Sequence, residues 1–155
     1  MKKILSIILS LSLSIGVFGL MPTDVKAAES VQVDGSYLLD DTTESSVTLE
    51  YPAKGVYLKS GTSTLTKKGS GIVGAGGATI AQRRVNRVFI GVRVQRLENG
   101  KWASYKYWSA ENKNDVGVTT SKLLNVRKGY YYRVFSTHIA GPDSTESFTD
   151  GLWID

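Results

Sequence analysis

The segment around Asn99-Gly100 constrains the fold of this chain more than any other part of the sequence. Valine or isoleucine occupies every second position from Val88 to Val94, and a second run rich in aromatic residues follows from Trp102 to Ala110. A two-residue loop of Asn followed by Gly favours a type I′ turn, because both of its central residues must adopt positive φ. The sequence therefore predicts a β-hairpin, and the short loop fixes which residues face each other across it.

The register of this hairpin divides its side chains between two faces. The facing pairs are Leu97 with Trp102, Gln95 with Ser104, Val94 with Tyr105, Arg93 with Lys106, Val92 with Tyr107 and Gly91 with Trp108. The predicted core face carries Val88, Ile90, Val92, Val94, Ala103, Tyr105 and Tyr107. The opposite face also carries Leu97 and Gln95, and its five candidate binding residues are Phe89, Arg93, Trp102, Lys106 and Trp108.

Two interpretations of that second face remain open. Arg and Lys side chains stabilise a sheet simply by covering aromatic rings, and a large ring can cover a glycine such as Gly91. Exposed aromatic residues also mark binding surfaces. One feature of the pairing is unfavourable, because Arg93 and Lys106 place two like charges directly opposite each other at a cost of up to ~1 kcal/mol.

Strand signals recur along the rest of the chain, and no window has a sustained helical period. The sequence predicts short strands at 56–60, 63–67, 79–84, 122–126, 130–139 and 147–154, hairpins at Gly61-Thr62 and around Arg127-Lys128-Gly129, and a glycine-rich loop at 69–78. One of the three tyrosines at 130–132 is expected to fill the core with its hydroxyl bound to the backbone. The fold class is therefore all-β: an immunoglobulin- or fibronectin-like β-sandwich, with a small β-barrel as the alternative.

The N-terminus has the three parts of a secretory signal peptide. Lys2 and Lys3 precede an uncharged apolar run from Ile4 to Leu20, and Val25-Lys26-Ala27 offers a cleavage site. A membrane anchor is the alternative, but the run is shorter than the ~20 residues of a spanning helix and contains serines. The predicted organisation is a signal peptide at 1–27, an acidic flexible leader at 28–50 and a β-sandwich domain at 51–155. The mature product is expected to be secreted, extracellular and free of transmembrane segments.

Charge is distributed unevenly along the chain. Residues 29–50 carry six acids and no base, residues 51–133 carry sixteen Lys or Arg against three acids, and residues 134–155 carry four acids and no Lys or Arg. Either the two ends neutralise the middle of the chain, or the middle forms a basic face for an anionic partner. Outside a cell, that partner would be a cell-wall polymer or another anionic polysaccharide rather than nucleic acid.

The sequence argues against most enzymatic chemistry. It contains no cysteine and one histidine, His138, so thiol catalysis is excluded and a metal site is not expected. Residues 69–74 match G-x-G-x-x-G, but neither a helix start nor an acid ~20 residues later follows, as dinucleotide binding requires. The sequence contains no G-x-S-x-G nucleophile elbow whose serine His138 could activate, so we expect His138 to be a structural residue. We predict no catalytic residues, no metal and no cofactor.

Three stretches resemble a family of small secreted proteins of Gram-positive bacteria that is catalogued as a domain of unknown function. They are Gly74-Ala75-Gly76-Gly77-Ala78-Thr79, the run from Val94 to Trp102, and the run from Gly129 to His138. The resemblance implies secretion and a β-rich fold, and it implies no activity. From the residues, we expect a secreted non-enzymatic binding module for an anionic polysaccharide. The alternative is a toxin or bacteriocin-like protein that acts on a bacterial envelope through a mobile 69–79 segment followed by Arg83, Arg84 and Arg87.

Overall fold

A computed structural model describes residues 31–50 and 57–155, and this part of the chain is all-β. It contains no helix that could cross a membrane. The strands are β1 (Gln32–Val33), β2 (Ser36–Leu39), β3 (Glu44–Glu50), β4 (Leu58–Gly69), β5 (Ile72–Glu98), β6 (Lys101–Asn125), β7 (Tyr130–Ala140), β8 (Asp143–Phe148) and β9 (Gly151–Ile154). The predicted signal peptide lies outside the described residues.

The strands form one sheet that curls into a half-barrel. Hydrogen-bonded neighbours follow the order β1-β2-β9-β7-β5-β4-β3, with β6 beside β5 and β8 beside β7. Residues 72–80 of β5 lie between β4 and residues 117–125 of β6, and with β3 they form what we call the first half-sheet. Residues 85–98 of β5 lie between β7 and residues 101–115 of β6, and with β8 and β9 they form the second half-sheet.

Both long strands bend sharply where the half-sheets meet. Thr79 and Phe89 would be roughly 33 Å apart in a straight strand, yet Thr79 Oγ1 donates to the Phe89 carbonyl at 3.0 Å. On β6, Trp108 Nε1 donates to Thr120 Oγ1 at 3.2 Å, although twelve positions separate the two residues. The register of β5 against β6 jumps between Ile80 and Val85, so extra β5 residues form the irregular corner that permits the bend.

The core lies on the inner side of this bend. Val88, Ile90, Val92 and Val94 are completely buried, which confirms the predicted core face of β5. Val73 of β5 is also buried, and other strands supply the remaining large buried side chains, among them Leu58, Leu65, Tyr132, Val134, Leu152 and Ile154. We call the opposite side of the sheet the outer face.

The predicted tyrosine plug is confirmed at Tyr132. Its side chain is completely buried, and its hydroxyl donates to the Arg127 carbonyl at 2.7 Å, five residues earlier in the chain. The ring of Tyr105 meets it edge to face at 5.4 Å between ring centres. The hydrogen bond satisfies a polar group that would otherwise be costly to bury.

The glycine-rich segment is a strand rather than the predicted loop. Only residues 70–71 turn between β4 and β5. A Cβ on Gly76 would lie 2.3 Å from Thr120 O, and a Cβ on Gly77 would lie 2.1 Å from Thr62 O. Because neighbouring backbones approach so closely, glycine is required at these two positions by strand packing, not by loop flexibility.

Two predicted hairpins are absent from the described residues. Leu58–Gly69 is one strand, so Gly61-Thr62 lies within β4 and does not form a turn. The segments that flank Arg127-Lys128-Gly129 do not pair with each other, because β6 pairs with β5 while β7 pairs with β5, β8 and β9. In both places, long-range pairing with β5 forms instead of the local hairpin that the turn residues predicted.

Residues 31–50 form three strands of the sheet rather than a leader outside it. The strand anticipated at Ser36–Leu39 is β2, and β3 pairs with β4 along its whole length. Hydroxyls contact each other across that pair, with Thr48 Oγ1 2.9 Å from Thr62 Oγ1. Such cross-strand hydroxyl pairs stabilise a sheet that has few large apolar side chains.

Candidate functional site

The Asn99-Gly100 turn has the predicted geometry, and the strands beside it have a β-bulge. Asn99 and Gly100 have φ of 51° and 75°, as a type I′ turn requires. The predicted pairing holds from Glu98–Lys101 to Gln95–Ser104, and then the register shifts so that Val94 faces Lys106. Tyr105 is therefore an extra, unpaired residue on β6. After it, each β6 side chain of the hairpin lies on the face opposite to the one that the turn predicted.

Because of this bulge, the residues on the candidate face differ from those that the sequence predicted. Trp108 faces Val92 and belongs to the core, with 7% of its surface exposed. Lys106 faces Val94 and is thereby on the core side of β6, at an edge that no other described strand covers. Tyr107, assigned to the core from the sequence, instead faces Arg93 on the outer face and is 56% exposed.

The remaining candidates do share the outer face, but they differ in accessibility. Phe89 and Arg93 lie four residues apart on β5, with Gly91 between them on the same face. Trp102 is held by other strands: its Nε1 donates to the Val33 carbonyl at 3.0 Å, and its ring covers Gly151, where a Cβ would lie 2.7 Å from Cη2. Trp102 therefore anchors β1 and β9 rather than presenting an open surface.

One rung of the second half-sheet carries an aromatic, an aromatic, a cation and an aromatic side by side. The pairing of β8, β7, β5 and β6 places them in one row, which we call the outer row: Phe148, Phe135, Arg93 and Tyr107. Phe135 and Phe148 stack with ring centres 6.4 Å apart and planes 3° apart. The guanidinium of Arg93 lies 5.8 Å from the centre of Tyr107 and 6.0 Å from that of Phe135.

Arg93 is the chemically available group of this row. Its side chain is exposed, and within residues 31–50 and 57–155 it has contacts with rings but no hydrogen bond or ion pair. Arg87, which lies six residues earlier on β5, is instead paired with Glu111 at 2.6 Å. A guanidinium held between two rings keeps its hydrogen-bond donors free for a carboxylate or a phosphate.

Further contacts between rings and cations support the outer row on both sides. On one side, Phe89 and Tyr107 meet over Gly91, where a Cβ would lie 3.0 Å from the Tyr107 hydroxyl oxygen. On the other, Arg133 lies between Trp102 and Phe148, 4.6 Å and 5.1 Å from the ring centres. Burial lowers the pKa of Arg133 to about 10, so the group remains a cation at neutral pH.

Arg133 is a structural residue and not an available ligand-binding group. Its Nε donates to Gln95 at 2.8 Å, and its Nη1 donates to Ser36 Oγ at 2.8 Å and to the Asp34 carbonyl at 3.1 Å. These bonds use the donors of a side chain that is 5% exposed. The outer row therefore has one free cation, Arg93, within the described residues.

The sequence pattern did not predict Tyr107, Phe135 and Phe148 as members of this surface. The last two come from β7 and β8, whose pairing with the hairpin cannot be derived from local pattern. Tyr107 had a signal in the sequence: strict alternation opposed Arg93 and Lys106, an unfavourable pair of like charges. The bulge removes that opposition, because it brings Tyr107 to Arg93 and moves Lys106 to the other face.

A second surface feature lies on the outer face of the first half-sheet. It is a groove of about 570 Å³ along β5, with Gly74, Gly76 and Ala78 as its floor. Threonines of β4 border one side, and Thr119, Ser121 and Leu123 of β6 border the other. No aromatic side chain lines the groove. Its floor belongs to the 69–79 segment, for which the toxin hypothesis required a mobile loop that acts on an envelope. Its residues instead pair on both edges of β5, so that feature of the toxin hypothesis is not present.

No group of three or more His, Cys, Asp or Glu in the described ranges could hold a metal ion. His138 is completely buried and bonded to hydroxyl groups, as expected for a structural residue.

A protein-family model described as "Family of unknown function (DUF6147)" matches residues 25–151. No curated protein and no solved structure matches the chain.

Proposed function

The chain belongs to the DUF6147 family of unknown function, and from the geometry of its outer face we propose that it is a non-enzymatic binding module for an anionic polysaccharide. The observation that carries this proposal is the outer row, in which an unpaired, exposed Arg93 is held between the rings of Tyr107 and Phe135.

The chemistry of the row matches a sugar chain that carries carboxylates. Arginine binds carboxylates through two parallel hydrogen bonds, and its planar group packs on aromatic rings at the same time. The flat apolar faces of sugar rings can lie on Tyr107 and Phe135 while a carboxylate meets Arg93. Because β-strands hold the row, little conformational entropy is lost on binding.

The setting of the module is part of the proposal. The N-terminal pattern of Lys2, Lys3 and the apolar run from Ile4 to Leu20 supports export, so the ligand would be met outside the cell. We take the two half-sheets as the layers of a β-sandwich, an interpretation supported by the hydrogen bond of Ser63 in β4 to Ser136 in β7 across the core, at 2.8 Å. Strands that bend through a corner are typical of orthogonal sandwiches.

Affinity electrophoresis in gels containing polygalacturonate or the neutral polymer dextran tests this function. We expect the wild-type protein to be retarded by polygalacturonate and not by dextran, with weaker retardation at high salt because exposed charges are screened. Arg93→Gln should weaken binding about tenfold or more, since a hydrogen bond to a charged group contributes roughly 1.5–3 kcal/mol.

Lys106→Gln is the matched control. It removes one exposed cation from the same hairpin but from the other face, so polygalacturonate binding should be retained. Equal losses in the two variants would mean that net charge, and not the outer row, drives binding. Failure of the wild-type protein to bind polygalacturonate would contradict the proposed ligand class.

A further inference from the structure

The core contains a continuous chain of polar side chains built around the one histidine of the sequence. His138 Nδ1 lies 2.8 Å from Thr79 Oγ1, and its Nε2 lies 2.8 Å from Ser147 Oγ. Ser147 Oγ lies 2.7 Å from Ser63 Oγ, which is also 2.8 Å from Ser136 Oγ. All five side chains are at most 1% exposed, so this chain is shielded from water.

These contacts connect strands of both half-sheets. Ser63 lies on β4 and Thr79 on the first part of β5, whereas His138 lies on β7 and Ser147 on β8. The imidazole occupies space that only a glycine leaves open, because a Cβ on Gly61 would lie 2.5 Å from His138 Cδ2. The histidine thus spans the interior from the β7–β8 pair to the first half-sheet.

The hydrogen-bond partners of the imidazole place one hydrogen on Nδ1 and leave the protonation of Nε2 to its surroundings. Thr79 uses its single hydrogen to donate to the Phe89 carbonyl at 3.0 Å, so its oxygen accepts from Nδ1–H of His138. In the neutral imidazole, Nε2 carries no hydrogen and accepts from the Ser147 hydroxyl. Protonation of Nε2 would oppose two donors, so Ser147 would have to turn its hydrogen towards Ser63 Oγ, which rearranges the contact between β8 and β4.

Among residues 31–50 and 57–155, no charged group faces the imidazole to offset a positive charge. On β4 and β5 its neighbours are Gly61, Ser63 and Thr79, and on β8 its bonded partner is Ser147. The charged side chains of these strands have other positions: Arg93 and Glu146 are exposed on the outer face, and Lys59 is exposed on β4. The Asp143 carboxylate accepts hydrogen bonds from the backbone amides of Tyr57 and Leu58.

We propose that this buried chain is an acid-sensitive latch, in which protonation of His138 releases β8 from the first half-sheet. β8 is the element that can move, because in the described residues its backbone ladder is with β7 alone. Side-chain contacts join it to the first half-sheet: Ser147 meets Ser63, and the Asp143 carboxylate accepts from the amides of Tyr57 and Leu58. β8 also carries Phe148 of the outer row, although the latch does not depend on what that row binds.

The direction of the pH effect follows from burial of the imidazole. Burial lowers the pKa of His138 from 6.5 to about 4. Between these two values the unfolded chain binds a proton that the folded chain does not. The stabilising contribution of the neutral imidazole is therefore fully present above pH 6.5, and it is lost as the pH decreases from 6.5 towards 4. For such a shift, the folding equilibrium constant should decrease about 20-fold between pH 7 and pH 5.

A proton-NMR titration of the full chain measures this pKa directly, because the sequence has one histidine. We expect the imidazole signals to shift well below pH 6 and not at 6.5. Denaturant unfolding at pH 7 and pH 5 gives the change in equilibrium constant, with His138→Gln as the variant that keeps an amide donor and acceptor but does not titrate. Titration of wild-type His138 at its ordinary pKa, or an unchanged 20-fold effect in His138→Gln, would overturn the latch.

Amide hydrogen exchange distinguishes release of β8 from general loosening. Protection factors, corrected for the intrinsic effect of pH, should fall at pH 5 for residues 143–148 before they fall for residues 73–80. The wild-type protein suffices for this measurement, so the test stands even where His138→Gln does not fold. A uniform loss of protection in both segments would contradict the local release of β8.

Discussion

At the scale of single residues, Tyr107 and Trp108 show how a bulge decides which ring becomes surface. The two are neighbours in sequence and lie on opposite faces of β6. Trp108 is enclosed by core side chains, with its Nε1 bonded to Thr120 and the Lys122 ammonium 5.3 Å from its ring centre. Tyr107 contacts Arg93 and covers Gly91. Composition alone would favour the larger Trp as the ligand-binding ring.

Truncation of these two rings should therefore have very different effects on stability. Trp108→Ala should lower the free energy of unfolding by ~3–5 kcal/mol, because it empties a buried site. Tyr107→Ala removes an exposed ring and a cation–π contact, so the loss should be below about 1 kcal/mol. Denaturant unfolding of both variants checks this pair, and equal losses would contradict the placement of the bulge.

At the scale of elements, the sequence was informative where structure is local. The alternation around Asn99-Gly100 predicted the turn, the first rungs of the hairpin and the buried face of β5. It could not predict that Gly74–Ala78 is a strand, because that depends on close approach by β4 and β6 from distant parts of the chain. The outer row likewise needs β7 and β8, and only Arg93 and the less accessible Phe89 and Trp102 remain of the five predicted binding residues on that face.

The turn of this hairpin has a cost that can be measured. Gly100 has φ of 75°, and a Cβ placed on it would have nothing within 4 Å, so conformation alone opposes a side chain there. Gly100→Val should destabilise the fold by roughly 1–2 kcal/mol, because a β-branched residue resists positive φ. Gly100→Asn is the control, since Asn tolerates this region. A melting temperature unchanged by valine would contradict a type I′ turn.

At the scale of the whole molecule, the long strands β5 and β6 give each half-sheet a separate outer surface. The first carries a hydroxyl-bordered groove above Gly74 and Gly76. The second carries aromatic rings around an unpaired arginine. The buried polar chain through His138 links the two half-sheets from within. We assign ligand binding to the second surface, because a cation held between flat rings suits an anionic sugar chain, whereas the groove is lined by Lys68 and Lys122 but by no aromatic ring.

An NMR titration of the isotopically labelled protein with oligogalacturonate tests this assignment most directly. Backbone amide shifts report which surface the ligand touches, without any mutation. Our account predicts saturable shifts that cluster at Tyr107, Arg93, Phe135 and Phe148, while the amides of residues 74–78 and 119–123 stay unchanged. Shifts that cluster along the groove, or no saturable shift at all, would contradict the claim that the outer row is the binding site.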